Sequence, residues 1–337
     1  MTERVNRQWL MTSRPDGMVS RDNFTYQEVA VPAVADGTML VRNQYMSFDP
    51  TLRAWMNEQP TYVSAIAIGE IMRCNAVGEV VESKLDGFSA GDLVQGGIGW
   101  QDYIVTDGTG IMPFQKLPPG TPPTMALSVL GVTGLTAYFG LLEIGKPKEG
   151  DVVVISGAAG ATGSVVGQIA KLKGCTIIGI AGGEEKCQWL RDELGFDEVI
   201  DYKSGDVKAA LKAATPNGID IYFDNVGGEI LDLVLNRINI GARIVLCGAI
   251  SGYNSKGPGY GPTNYIKLIM QRARMEGFII LDYAPRFREA AGALVGWIQE
   301  GKLAYAEDVQ EGLENAPEVF QRIFTGKNRG KQLLKVS

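Results

Sequence analysis

From Asp151 onward short apolar, β-branched runs alternate with segments of helical character, and the first run leads straight into Gly157-Ala158-Ala159-Gly160-Ala161-Thr162-Gly163. A strand joined to its neighbour through a helix returns parallel to it, because a tight turn can link only antiparallel neighbours. Runs at 151–156, 175–181, 196–201, 219–226 and 242–249, with helical stretches at 161–174, 184–195, 204–215 and 227–239, therefore predict an α/β fold built on a doubly wound parallel sheet. A further apolar run at 276–283 precedes a helix expected over 286–301.

The glycine turn carries the chemistry of this region. Gly157, Gly160 and Gly163 permit a sharp turn and a close backbone approach, while the helix that follows offers unpaired N–H groups and a positive dipole end to a pyrophosphate. Set between a strand and a helix, with more strands downstream, the motif predicts a dinucleotide site. Which dinucleotide is open on residues alone. The second strand ends in Ala181-Gly182-Gly183, where Glu184 stands near the spacing of a ribose-binding acid and Lys186 could meet a 2′-phosphate. Both Glu184 and Glu185 are equally suited to a first helical turn, with Lys186 a solvated lysine. Asn225, after the fourth strand, and Tyr253, beyond the fifth, leave strand ends at the carboxyl edge where such sheets bind ligands. A turn-forming Asn and a surface Tyr are the ordinary alternatives.

The stretch before residue 125 reads differently. Short β-like runs at 37–47, 76–83 and 92–106 are separated by Gly, Asp and Pro, which predicts a mostly-β domain. Pro113, Pro118, Pro119, Pro122 and Pro123 cluster ahead of an apolar helix expected over 126–145, and prolines suit a linker there. A chain of 337 residues exceeds one ordinary core. The expected organisation is a substrate domain at 1–125, completed by β-like pieces at 302–337, and a cofactor domain at 126–301, meeting at a cleft.

The sequence contains no histidine, which removes Ser-His-Asp hydrolysis, Cys-His proteolysis, His-ligated zinc chemistry and imidazole acid–base catalysis together. Its net charge of −6 offers no general attraction to nucleic acid or anionic lipid. With no long apolar run and no signal-peptide pattern before Pro15, the reading is cytoplasmic. Cys74, Cys175, Cys187 and Cys247 are widely spaced in apolar surroundings, as buried thiols would be.

Four motifs in order, from 6–17 (NRQWLMTSRPDG) and 46–56 (MSFDPTLRAWM) through the glycine turn and 247–254 (CGAISGYN) to the terminal 326–336 (GKNRGKQLLKV), give the chain a family likeness. It resembles the medium-chain dehydrogenase/reductase superfamily, in its zinc-independent leukotriene B4 dehydrogenase, prostaglandin reductase and double-bond reductase branch, close to the bacterial curcumin reductases. The resemblance implies a GroES-like first domain and a Rossmann domain. Where zinc-dependent relatives carry metal ligands, this chain has Met46-Ser47-Phe48-Asp49-Pro50 and Ile68-Gly69-Glu70, so no metal is expected. It implies NADPH as cofactor, with Lys186 and Tyr202 on the 2′-phosphate, Ala161 and Thr162 along the pyrophosphate, and Gly182 letting the backbone pass the adenosine. Asn225 and Asn328 would touch the cofactor, and Pro50, Cys247, Ser251, Phe278 and Ile280 complete the expected set. Gly183 replaces a serine common in the family, leaving the phosphate more dependent on Lys186. Relatives are commonly homodimers.

The reaction so implied is transfer of hydride to the β-carbon of an α,β-unsaturated ketone or aldehyde, with a donor required at the carbonyl oxygen where charge develops. Tyr253 is the expected donor, and Tyr62 resembles a substrate-pocket tyrosine, or is an aromatic packed under a loop. Trp55, Met56 and Tyr265 could line an apolar wall or be core. The rivals are an NADPH:quinone oxidoreductase and, from another class, a non-catalytic NADPH-binding sensor.

Overall fold

The computed structural model describes residues 4–59, 61–256 and 261–336. The chain separates into two compact units, one formed by the segment up to Ser128 with the segment from Glu307, the other by Val129–Ala306.

The first unit begins with a hairpin, β1 (Val5–Met11) against β2 (Phe24–Ala30). β3 (Met39–Ser47) follows and leads into the short helix α1 (Thr51–Trp55), and then come β4 (Ala76–Ser83), β5 (Leu93–Gly96), β6 (Tyr103–Thr106), β7 (Gln115–Lys116) and helix α2 (Pro123–Leu127).

In the second unit the elements are α3 (Val132–Phe139), β8 (Val152–Ser156), α4 (Ala161–Leu172), β9 (Thr176–Ala181), α5 (Glu184–Asp192), β10 (Glu198–Asp201) and α6 (Val207–Ala214). After them come β11 (Ile219–Asp224), α7 (Gly228–Leu235), β12 (Ile238–Leu246), α8 (Ile266–Gln271), β13 (Arg274–Gly277) and α9 (Phe287–Gln299). All six strands are parallel in the order β10-β9-β8-β11-β12-β13. This is the Rossmann order, in which the sequence reverses direction beside β8 and opens a crevice at the carboxyl ends of β8 and β11. Val153, Val154 and Ile155 of β8 are fully buried, as helices on both faces require.

The tail returns to the first unit as β14 (Glu307–Glu311), α10 (Ala316–Thr325) and β15 (Lys331–Lys335), giving a sheet of order β14-β15-β3-β4-β5-β7 with β6 also on β3. Phe320 of α10 packs with Phe48 and Trp100 at centroid distances of 6.1 and 5.8 Å, so the tail supplies part of the core. The Ser128 hydroxyl donates to Glu307 at 2.5 Å, tying together the two places where the chain passes between units.

Three sequence expectations change. The apolar helix predicted over 126–145 is broken: α2 stops at Leu127, α3 starts at Val132, and Gly140–Gly145 winds as a π-helix. At the break the Val129 carbonyl lies so near Gly134 that any Cβ there would stand 1.8 Å from it. The run at 276–283 is a strand only to Gly277, because its partner β12 ends opposite it at Leu246; Ile280–Arg286 is 3-10 helical. The tail, read as β-like pieces, holds the helix α10. Among the described residues no helix is long and apolar enough to cross a membrane.

Candidate functional site

β8 delivers the chain into the glycine turn. Gly157 adopts φ +59°, a left-handed conformation that disfavours side chains, and a Cβ on Gly163 would lie 2.5 Å from the Gly157 carbonyl. The N-cap of α4 is Gly160, so no side chain satisfies the amides of the first turn, where Ala161 and Thr162 sit half-buried. Uncapped amides at the start of a twelve-residue helix, with glycines keeping the approach open, fit a pyrophosphate.

A second cluster forms where β9 and β10 end. The Asp201 carboxylate accepts from the Gly183 N–H at 2.8 Å and the Lys203 N–H at 2.9 Å, and these bonds, the Gly183 bond first, hold it below the usual carboxylate range. The Tyr202 ring lies over Gly182, and the Lys203 ammonium stands 6.0 Å from that ring. Lys186, on the first turn of α5, is half-buried beside them in sequence. Glu184, the candidate ribose acid, is instead paired with Arg191 on its own helix.

At the ends of β8, β11 and β12 the expected nicotinamide residues come together. The Asn225 amide donates to the Ser156 carbonyl at 2.7 Å, and the Asn225 N–H to the Ser156 hydroxyl at 3.0 Å. The Ser251 hydroxyl donates to the Val226 carbonyl at 2.6 Å, and the Tyr253 hydroxyl accepts from the Ala249 N–H at 3.3 Å. Burial, reinforced by the Asp224 carboxylate, pushes the Cys247 thiol up to about 12. It is therefore a neutral thiol at physiological pH.

The remaining expected residues stand elsewhere. Phe278 packs against the π-helix, where a Cβ on Gly140 would meet its ring at 2.6 Å, and Ile280 opens the 3-10 segment. Pro50, Tyr62 and Asn328 belong to the first unit. Pro50 is the N-cap of α1, the Tyr62 hydroxyl bonds Thr51 Oγ1 at 2.7 Å, and the Asn328 amide donates to the Gly330 carbonyl at 3.0 Å. Met56 and Trp55 are core; Tyr265 is exposed. Sequence reasoning passed over Ser156 and Asp224, whose only signal is their place as the last residues of two strands.

Comparison with known proteins decides the family. Residues 7–114 match the family described as the N-terminal domain of oxidoreductase, and residues 161–296 the family described as zinc-binding dehydrogenase. The NADPH-dependent curcumin reductase of Escherichia coli K12 is 42% identical over 337 residues, 98% of this chain and 97% of that one. The chain belongs to the zinc-independent double-bond reductase branch of the medium-chain dehydrogenase/reductase superfamily. Another member, the NADP-dependent 2-alkenal reductase of Nicotiana tabacum, is 39% identical, covering 100% of this chain and 99% of that one. The crystal structure of CurA in complex with NADPH from Vibrio vulnificus superposes with a TM-score of 0.92 at 45% identity, over 98% of this chain and 99% of that one.

Proposed function

We propose that this reductase uses NADPH to reduce the carbon–carbon double bond of α,β-unsaturated ketones and aldehydes. The observation that carries the reading is the arrangement along one sheet edge: the uncapped glycine turn, with Lys186 and Tyr202 near one end and Asn225 and Tyr253 near the other. The identities of the curcumin and 2-alkenal reductases support it.

Bound NADPH supplies the hydride, which becomes the new C–H bond at the substrate β-carbon while the π electrons move onto the carbonyl oxygen. The amides of Ala161 and Thr162 hold the pyrophosphate. Lys186, with Tyr202, selects the 2′-phosphate, and the commitment of Glu184 to Arg191 favours NADP over NAD. Asn225, Cys247 and Ser251 shape the nicotinamide side. Tyr253 donates toward the developing enolate oxygen; accepting a bond from Ala249 polarises its hydroxyl for that donation. A proton from Tyr253 or water completes the α-carbon, and Tyr62 contacts the substrate.

The working form is a cytoplasmic homodimer. Support comes from the edge strand β13 and the exposed Ile240, Tyr265, Ile266, Ile269 and Met270 beside it, an apolar face that a second copy would cover. Light scattering on the purified protein tests the dimer. NADPH consumption over enals, enones, diarylheptanoids and quinones, with product identification, tests the reaction. Saturated ketones and aldehydes are expected; turnover confined to quinones, or none at all, overturns the reading.

A further inference from the structure

Asp224, the last residue of β11, is completely buried. Its Oδ1 accepts four hydrogen bonds: from the Ser156 hydroxyl at 3.0 Å, the Tyr222 hydroxyl at 2.9 Å, the Val226 N–H at 3.0 Å and the Gly227 N–H at 2.8 Å. Its Oδ2 is buried with no hydrogen-bond partner among the described residues. The backbone is equally committed, since the Asp224 carbonyl accepts from the Cys247 and Gly248 N–H groups at 2.9 and 3.0 Å. One residue thus ties the end of β8, the turn after β11 and the start of the loop after β12.

A buried carboxyl with an unmatched oxygen is costly, and an ordinary strand end needs none. Burial pushes this carboxyl up, against the Gly227 and Val226 N–H groups that favour its charged form. What the four bonds achieve is geometric. They fold the chain back at 225–227, so that Asn225 reaches Ser156 and the Val226 carbonyl faces the Ser251 hydroxyl.

We infer that Asp224 is a positioning residue of the cofactor site, fixing the Asn225 turn and the Ser251–Tyr253 loop relative to the glycine turn without itself touching the cofactor. The inference rests on the proposed use of this edge for NADPH. Asn can accept all four bonds through its carbonyl oxygen, whereas Ala can accept none. In D224N the dissociation constant for NADPH, read by fluorescence, stays within about threefold of wild type; in D224A it rises by about tenfold or more. Hydrogen exchange on the cofactor-free protein supplies the second readout: the Val226 and Gly227 amides lose protection in D224A and keep it in D224N.

Should D224A fail to fold, S156A cuts the same linkage from the β8 side and is expected to weaken NADPH several-fold with a cooperative unfolding transition retained. A folded D224A, or S156A in its place, that binds NADPH like wild type overturns the positioning role. So does D224N as impaired as D224A. Wild-type protein that binds no NADPH overturns the cofactor reading, and this inference with it.

Discussion

The ring of Tyr202 lies directly against Gly182, so that a Cβ at position 182 would stand 2.7 Å from the ring and its hydroxyl. The contact joins the ends of neighbouring strands β9 and β10, held in register by the Tyr202 N–H on the Ala181 carbonyl at 3.0 Å. Gly182→Ala therefore displaces Tyr202, the proposed neighbour of the 2′-phosphate. The expected result is a rise of about tenfold in KM for NADPH at near-normal kcat, measured by steady-state kinetics. Unchanged KM would contradict a cofactor role for this pair.

Lys186, on the first turn of α5, is the proposed partner of the 2′-phosphate. Lys186→Ala is expected to raise KM for NADPH by about tenfold to a hundredfold while leaving KM for NADH nearly unaltered, because only NADPH carries the 2′-phosphate. Equal effects on both cofactors would remove the lysine from that role.

Tyr253→Phe deletes the hydroxyl without changing the ring. Turnover should fall by about a hundredfold, with NADPH affinity and melting temperature close to wild type. Wild-type kinetics in the variant would exclude Tyr253 from the chemistry.

Cysteine thiols give the protein an alkaline limit: Cys74 and Cys175 are buried, and Cys247 is half-buried where its apolar surroundings predict full burial. Burial pushes Cys175 up to about 11 and Cys247 to about 12, and raises Cys74 further. An unfolded thiol ionises near ~8.5, so between these values the folded chain keeps protons that the unfolded chain has lost. Stability from these groups is intact below pH ~8.5 and lost as pH climbs through 11 and 12. Melting temperatures from pH ~7 to ~11 should decline, and Cys247→Ala should flatten the decline; a flat wild-type profile would refute it.

Lys331 of β15 is buried and paired with Asp49, which also accepts from the Ser47 hydroxyl at 2.6 Å. The pair joins the tail to the loop that opens α1. Lys331→Met strands the Asp49 carboxylate, and denaturant unfolding should register a loss of about 3 kcal/mol. A loss below about 0.5 kcal/mol would show the charge to be satisfied by water instead.

Much of this was legible from residues alone because it is local. Apolar periodicity located most strands and helices of the Rossmann unit, and Gly157, Gly160 and Gly163 announced the tight turn into α4, where Gly157 is left-handed and Gly163 has no room for a Cβ. The absence of histidine by itself closes whole reaction classes. Local signals mislead where the deciding contact is distant. The mostly apolar stretch from 126 to 145 reads as one helix, yet the chain turns between Leu127 and Val132 and the Val129 carbonyl packs against Gly134. The amphipathic α10 was missed because the core it completes, around Trp100 and Phe48, lies more than two hundred residues earlier in the chain.

Composition and spacing by themselves determined the α/β fold class, the glycine turn between strand and helix and the exclusion of histidine chemistry, for these depend on neighbouring backbone angles and on which side chains exist. Tertiary structure alone decided that Asp224 gathers four donors, that Glu184 is taken by Arg191 and that Lys331 meets Asp49 across 282 positions. A hydrogen bond or buried charge is specified by where two groups end up in space, and that is known only once the strands between them have packed.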